Sequence, residues 1–352
     1  MTDPTRMADD WGPRTTTHAT EVPVHRRLTS LLAALALVAA LSSACAPAAA
    51  AAGPVEGPVF NDPTGTDVQQ MAIMTKIMNA ISGTRRGATI RIAVFSFTIE
   101  EFADRLINAY KRGVHVRLIV DDHETWPAFT RVQQVLGKNV GKSSFAVHCR
   151  GACLTENQPS YMHTKLFQFS LTDGVPWVSM VASANPTYFQ ARRGWNNGYM
   201  IVNDTVIYEA VKLAFETMAK AAANPNQPTT SPNAYFTATS GKYKFYNFPK
   251  GGLGRDNDTM WGIFQNIRCT GVATGYGSSG YTTIRLAMYQ WSVLRIRLAT
   301  LRAEAAPGSI APRFSTATSS RAGSSAARAS PTSAIRRSTP STTPRGPSAV
   351  RC

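Results

Sequence analysis

Apolar positions along the chain alternate between two periods. Over residues 66–82, Val68, Met71, Ile73, Met74, Ile77, Met78 and Ile81 recur at helical spacing and predict an amphipathic helix. A basic turn over 84–87 leads into 88–97, Ala-Thr-Ile-Arg-Ile-Ala-Val-Phe-Ser-Phe, whose branched and aromatic residues predict a strand. Helical spacing returns over 100–112, with Phe102, Leu106, Ile107 and Tyr110 on one face, and Gly113 ends it. Residues 114–120 alternate and predict the next strand, which runs into Asp121, Asp122 and His123. A strand, a helix and a strand in this order imply a parallel pair, so the fold class is α/β.

The same alternation continues to residue 223. A short helix is predicted over 126–136, strands over 144–149, 162–169, 178–182 and 198–202, and a helix over 204–222. One lobe therefore spans 66–223, with a mixed, largely parallel sheet flanked by helices. Residues 224–240, which open on a stretch rich in Asn, Pro, Gln and Thr, are assigned as a linker. Strand character resumes over 241–249, with aromatics at Tyr243, Phe245, Tyr246 and Phe248. Residues 283–291 then repeat the pattern of 89–97, position by position, so 241–301 is expected to begin a second, related lobe. That lobe is incomplete. Residues 302–352 consist almost wholly of Ala, Ser, Thr, Pro, Gly and Arg and lose both periods. They fit a disordered basic tail or, preferably, a GC-rich gene read in a shifted frame.

Composition narrows the context. The chain has 352 residues, enough for two ordinary domains, and 43% of them are hydrophobic, as in soluble globular proteins. A formal charge of +16 favours anionic partners, either phospholipid surfaces or nucleic acid. Residues 1–52 form a signal region: Arg26 and Arg27, an apolar run over 28–41, then small residues. The protein is expected to be secreted, with lipid anchoring through Cys45 disfavoured because Ser42 stands where an aliphatic residue is usual. An oxidising compartment suits a local disulfide between Cys149 and Cys153. His148 with these two cysteines lacks an evident fourth metal ligand.

The candidate chemistry sits in residues 161–170. His163 and Lys165 lie two apart in an apolar run, so on a strand they would share a face. A buried imidazole and ammonium call for a partner or an anionic ligand. Polar clusters follow at Ser183 and Asn185 and at Arg192, Arg193, Asn196 and Asn197. Together they describe a phosphate site: an imidazole for nucleophilic or acid–base work, a lysine for charge, and hydroxyl and amide donors for the remaining oxygens.

His-x-Lys followed by a small-Ser-x-Asn element resembles the signature of the phospholipase D superfamily, His-x-Lys-x4-Asp and then Gly-Ser-x-Asn. His163, Lys165, Ser183 and Asn185 match it. Ala182 replaces the glycine, and Ser170 occupies the aspartate position. The resemblance implies two lobes that each supply one His-x-Lys to a shared site. One histidine forms a phosphohistidine and the other protonates the leaving alcohol; no metal or other cofactor takes part. It implies that His163, Lys165 and Asn185 are catalytic and that Ser183 and Ser170 bind substrate. No histidine follows His163, so the second motif would lie in another reading frame beyond Leu301 or come from a homodimer. Three readings follow: a secreted phosphodiesterase acting on phospholipid headgroups, a homodimeric nucleic-acid phosphodiesterase, or an inactive protein that binds phosphate-bearing surfaces. Asp121, Asp122 and His123 suit a metal by residue type, but acidic residues commonly end parallel strands.

Overall fold

The computed structural model describes residues 53–123, 125–155, 160–224, 234–251, 257–267, 271, 273–275, 277–278, 281–286 and 348–351. The expected signal region over 1–52 and most of the 302–352 tail lie outside them. The chain divides into two units at Pro228 and Thr229.

The first unit is built on a seven-stranded sheet. Its strands are β1 (Gly57–Phe60), β2 (Thr89–Val94), β3 (His115–Asp121), β4 (Phe145–Cys149), β5 (Lys165–Thr172), β6 (Val175–Ala182) and β7 (Asn197–Ile201). They lie in the order β1-β7-β6-β5-β2-β3-β4. The helices are α1 (Asp67–Gln70), α2 (Ala72–Gly83), α3 (Glu100–Lys111), α4 (Pro127–Leu136), α5 (Tyr188–Arg193) and α6 (Thr205–Ala222).

The mixed sheet is as expected, but it is not largely parallel. Only β2–β3 and β3–β4 are parallel, and the other four ladders are antiparallel. The reason is local. Helices α3 and α4 provide the crossovers that parallel pairing needs, whereas β5 returns to β6 through Asp173 and Gly174, both at positive φ.

The core lies between the sheet and helices α2, α3 and α4. Ile73, Ile77 and Ile81 of α2 and Phe102 and Leu106 of α3 pack with Ile92, Leu118, Phe167, Phe169 and Met180 of the strands. Helix α6 covers the opposite face. The helix expected over 66–82 is broken at Met71, which separates α1 from α2. Thr66 and Gln69 form a reciprocal capping box that satisfies the first amides of α1.

In the second unit, β8 (Phe236–Ser240) and β9 (Tyr243–Asn247) form an antiparallel hairpin around Gly241, at φ 51°. Strand β8 falls inside the expected linker, a correction: Phe-Thr-Ala-Thr-Ser alternates, but its polar residues blend into the stretch before it. Helix α7 (Thr259–Gln265) follows. Strand β10 (Gly277–Ser278) pairs with β11 (Tyr281–Leu286), which covers the start of the internal repeat, and β11 pairs with β12 (Ser348–Arg351). These last four residues depart from the expected unstructured tail. Residues 287–291 of the repeat lie outside the described residues.

Candidate active site

One end of the sheet collects the chemistry. Strands β2 and β3 finish there, β5 starts there, and β6 and β7 turn there, because the antiparallel pairs β2–β5, β5–β6 and β6–β7 bring opposite strand ends together. Residues beyond the carboxyl ends of parallel strands are the usual ligand position in open α/β sheets.

Lys165 is the first residue of β5 and pairs with Val94. It is 5% exposed. Its ammonium donates to the His163 carbonyl at 2.7 Å and stands 5.6 Å from the Phe95 ring centre. Burial pushes its proton affinity down to about 8, against an opposing pull from the Asp121 carboxylate. His163 precedes the strand rather than lying on it, and both its ring and the Lys165 ammonium stand beside Phe95. Its ring keeps an exposed side and lies 5.3 Å from Phe95. Partial loss of water lowers its affinity for a proton, the Lys165 charge lowers it further, and Asp121 works the other way.

Asn185 is fully buried. Its Oδ1 accepts from the amides of Phe95 and Ser96, both at 3.1 Å, and so fixes the end of β2 against the turn after β6. Its Nδ2 is buried with no acceptor among the described residues. An unmet buried donor is costly. The Asn185 amide donates to Gln190 Oε1.

Ser183 lies near Asn185, but its hydroxyl is engaged. It donates to Asn196 Oδ1 at 2.9 Å and accepts from the Asn197 amide at 3.0 Å. Asn61 completes this frame: its Nδ2 donates to the carbonyls of Ala191 and Gly194 and its Oδ1 accepts from the Asn196 amide. Arg192 is exposed, beside Tyr188 and 3.7 Å from Asp67.

Ser170 does not join the site, which corrects its expected role in substrate binding. It stands five residues along β5 from Lys165, roughly 16 Å at strand rise, on the opposite pleat face. Its hydroxyl accepts from the Thr89 amide at 2.8 Å and pins the register of β2.

Asp121 is the residue that pattern reading passed over as a strand-end acid. It is fully buried at the end of β3. Its Oδ2 accepts from the Met162 amide at 2.6 Å, which ties the segment carrying His163 to β3. Its Oδ1 accepts from the His123 amide at 2.9 Å and meets His123 Nδ1 at 2.8 Å. The sequence signal was there: an acid directly after Val-Arg-Leu-Ile-Val has no solvent to face. Asp121, Asp122 and His123 bring donor atoms within 4.8 Å of one another, and the contacts of His123 with both carboxylates account for that grouping. Cys149 and Cys153 are disulfide-bonded, as their spacing suggested.

Residues 77–219 match the family model described as cardiolipin synthase, PLD-like domain. These residues form a phospholipase D-like domain. The match contains Asp121, His163, Lys165, Ser183 and Asn185. No curated protein matches the chain. Among solved structures, a phospholipase D family member, Nuc from Salmonella typhimurium, aligns at 19% identity over 48% of this chain and 99% of its own, with TM-score 0.35. NucT from Helicobacter pylori aligns at 16% identity over 47% of this chain and 96% of its own, with TM-score 0.33. Polyphosphate kinase from Porphyromonas gingivalis aligns at 14% identity over 53% of this chain and 26% of its own, with TM-score 0.30.

Proposed function

We propose that the chain is an exported phosphodiesterase that hydrolyses phospholipid headgroups, with His163 as the nucleophile. The observation that supports this is one grouping at the end of the sheet: the His163 imidazole, the buried Lys165 ammonium and the unmet donor of Asn185. Neutral His163 attacks phosphorus, the P–O bond to the leaving alcohol breaks, and a phosphohistidine forms. The lowered proton affinity of His163 keeps it neutral and nucleophilic at neutral pH. Lys165 and Asn185 Nδ2 offset the negative charge that gathers on the phosphoryl oxygens. The departing alkoxide takes a proton from a second imidazole, which then activates the water that cleaves the P–N bond, releases the phosphomonoester with its remaining ester bond intact, and restores His163. A second copy of this chain would supply that imidazole as its own His163.

Exposed rings favour a lipid surface. Tyr161 precedes His163, and Tyr188, Phe189 and Trp195 follow Asn185, with Trp195 70% exposed. Tyrosine and tryptophan suit an interface that is apolar on one side and wet on the other. The same rings could also stack on bases, and the +16 charge suits a polyanion, so a nucleic-acid strand is the second reading.

The test is turnover of a generic phosphodiester by the full chain and by His163→Ala. Loss of turnover in the variant supports the enzyme. Competition by phospholipid vesicles supports the lipid reading and competition by an oligonucleotide the second. Phosphate binding without turnover in the unsubstituted protein would make it a binding protein and overturn the catalytic reading.

A further inference from the structure

The end of the sheet opposite His163 carries a second concentration of positive charge. Thr89 and Arg91 on β2 are register partners of His115 and Arg117 on β3. Alternation places all four on the face covered by α6. Two arginines directly opposite each other across a ladder repel. Among the described residues, one acid pairs with them: Glu216 of α6 accepts from Arg91 Nε at 2.9 Å and from Arg117 Nη1 with the same oxygen, Oε1. Arg91 also donates to Gln168 Oε1 at 3.3 Å and Tyr208 Oη at 3.2 Å, and its side chain is 10% exposed. Arg117 lies over the rings of Phe145 and Phe215, and its Nε has no acceptor among the described residues.

These residues bound a cavity of about 290 Å³, whose other wall is the loop carrying Gly141, Lys142 and Ser143. No acid lines it. Two guanidiniums therefore share one carboxylate oxygen, and Lys142 lines the same cavity. A buried guanidinium excess is expensive unless an anion completes it. Two fork-shaped guanidiniums, a lysine and the hydroxyls of Thr89 and Ser143 make a donor set suited to a tetrahedral oxyanion.

We propose that this cavity is a phosphate-binding site, separate from the catalytic one. Thr89 stands five steps from Val94 along β2, so the two sites are roughly 16 Å apart. The ligand is a phosphate group, either free or carried by a nucleic acid or a lipid. The site does not depend on the catalytic reading.

The test is calorimetric titration of inorganic phosphate at low salt into full-length Lys165→Met, which lacks the ammonium of the first site. One phosphate per chain should still bind. Adding Lys142→Glu, a change on an exposed loop, should weaken that binding about tenfold or more, because it places an anion at the mouth. Displacement of phosphate by an oligonucleotide would assign the group to nucleic acid, displacement by anionic phospholipid vesicles to lipid, and displacement by neither to free phosphate. The proposal is overturned if Lys165→Met alone abolishes phosphate binding, or if Lys142→Glu leaves it unchanged.

Discussion

Lys165 sets a limit on the working pH. Its ammonium is useful only while protonated, and its proton affinity is depressed to about 8. The profile of kcat/KM should therefore fall on the alkaline side near pH 8. On the acid side it should fall below the ordinary histidine value, because His163 is also depressed. Asp121 opposes both shifts. Asp121→Asn should move both limbs to lower pH, a change that loss of packing alone would not produce. Burying Lys165 charged also costs stability. The folded state binds fewer protons than the unfolded one between about pH 8 and about 10.5, so stability should rise with pH across that window. Lys165→Met should raise stability near pH 7 by on the order of 2 kcal/mol while abolishing turnover, and urea unfolding beside an activity assay checks both. The polar positions that the structure gathers were largely legible at this scale. His163, Lys165, Ser183 and Asn185 announced themselves as polar residues where the pattern called for apolar ones. Asp121 did not, because its partner is a backbone amide 41 residues away and no local pattern encodes that contact.

Elements explain which residues can meet. The site exists because β5 runs antiparallel to β2, so the start of one strand faces the end of the other. The expectation of a largely parallel sheet placed too much weight on the strand–helix–strand unit over 88–121 and too little on the tight Asp173-Gly174 turn. Strand β1 was hidden for a different reason: Gly57 and Pro58 read as loop residues, and Pro is tolerated there because β1 is an edge strand. Ser170 shows the limit of motif matching, since five steps along a strand remove it from the site and turn it to the other face. The Cys149–Cys153 disulfide closes a very short loop beside the segment that leads to His163. Cys149→Ser with Cys153→Ser should lower stability by about 2 kcal/mol in the chain-entropy view. Turnover under conditions where the variant stays folded should change little, and denaturant titration with and without reductant checks it.

The whole molecule raises the question of the second imidazole. The described residues contain one His-x-Lys, and the chemistry needs a nucleophile and an acid. If two chains share a site, specific activity should fall on dilution as dimers dissociate. Mixing an excess of His163→Ala with unsubstituted protein should depress activity beyond simple dilution. The internal repeat suggested a bilobal plan, and β11 occupies its start, but strand pattern alone does not say which chain completes a site. That depends on surfaces, and surfaces follow no period.

The most direct test is to react the full chain with a slowly hydrolysed phosphodiester, quench it under alkaline conditions that preserve phosphoramidates, and map the adduct by mass spectrometry. The account predicts a phosphorylated His163, absent in His163→Ala together with turnover. Turnover that proceeds with no adduct on His163 and survives His163→Ala would contradict it.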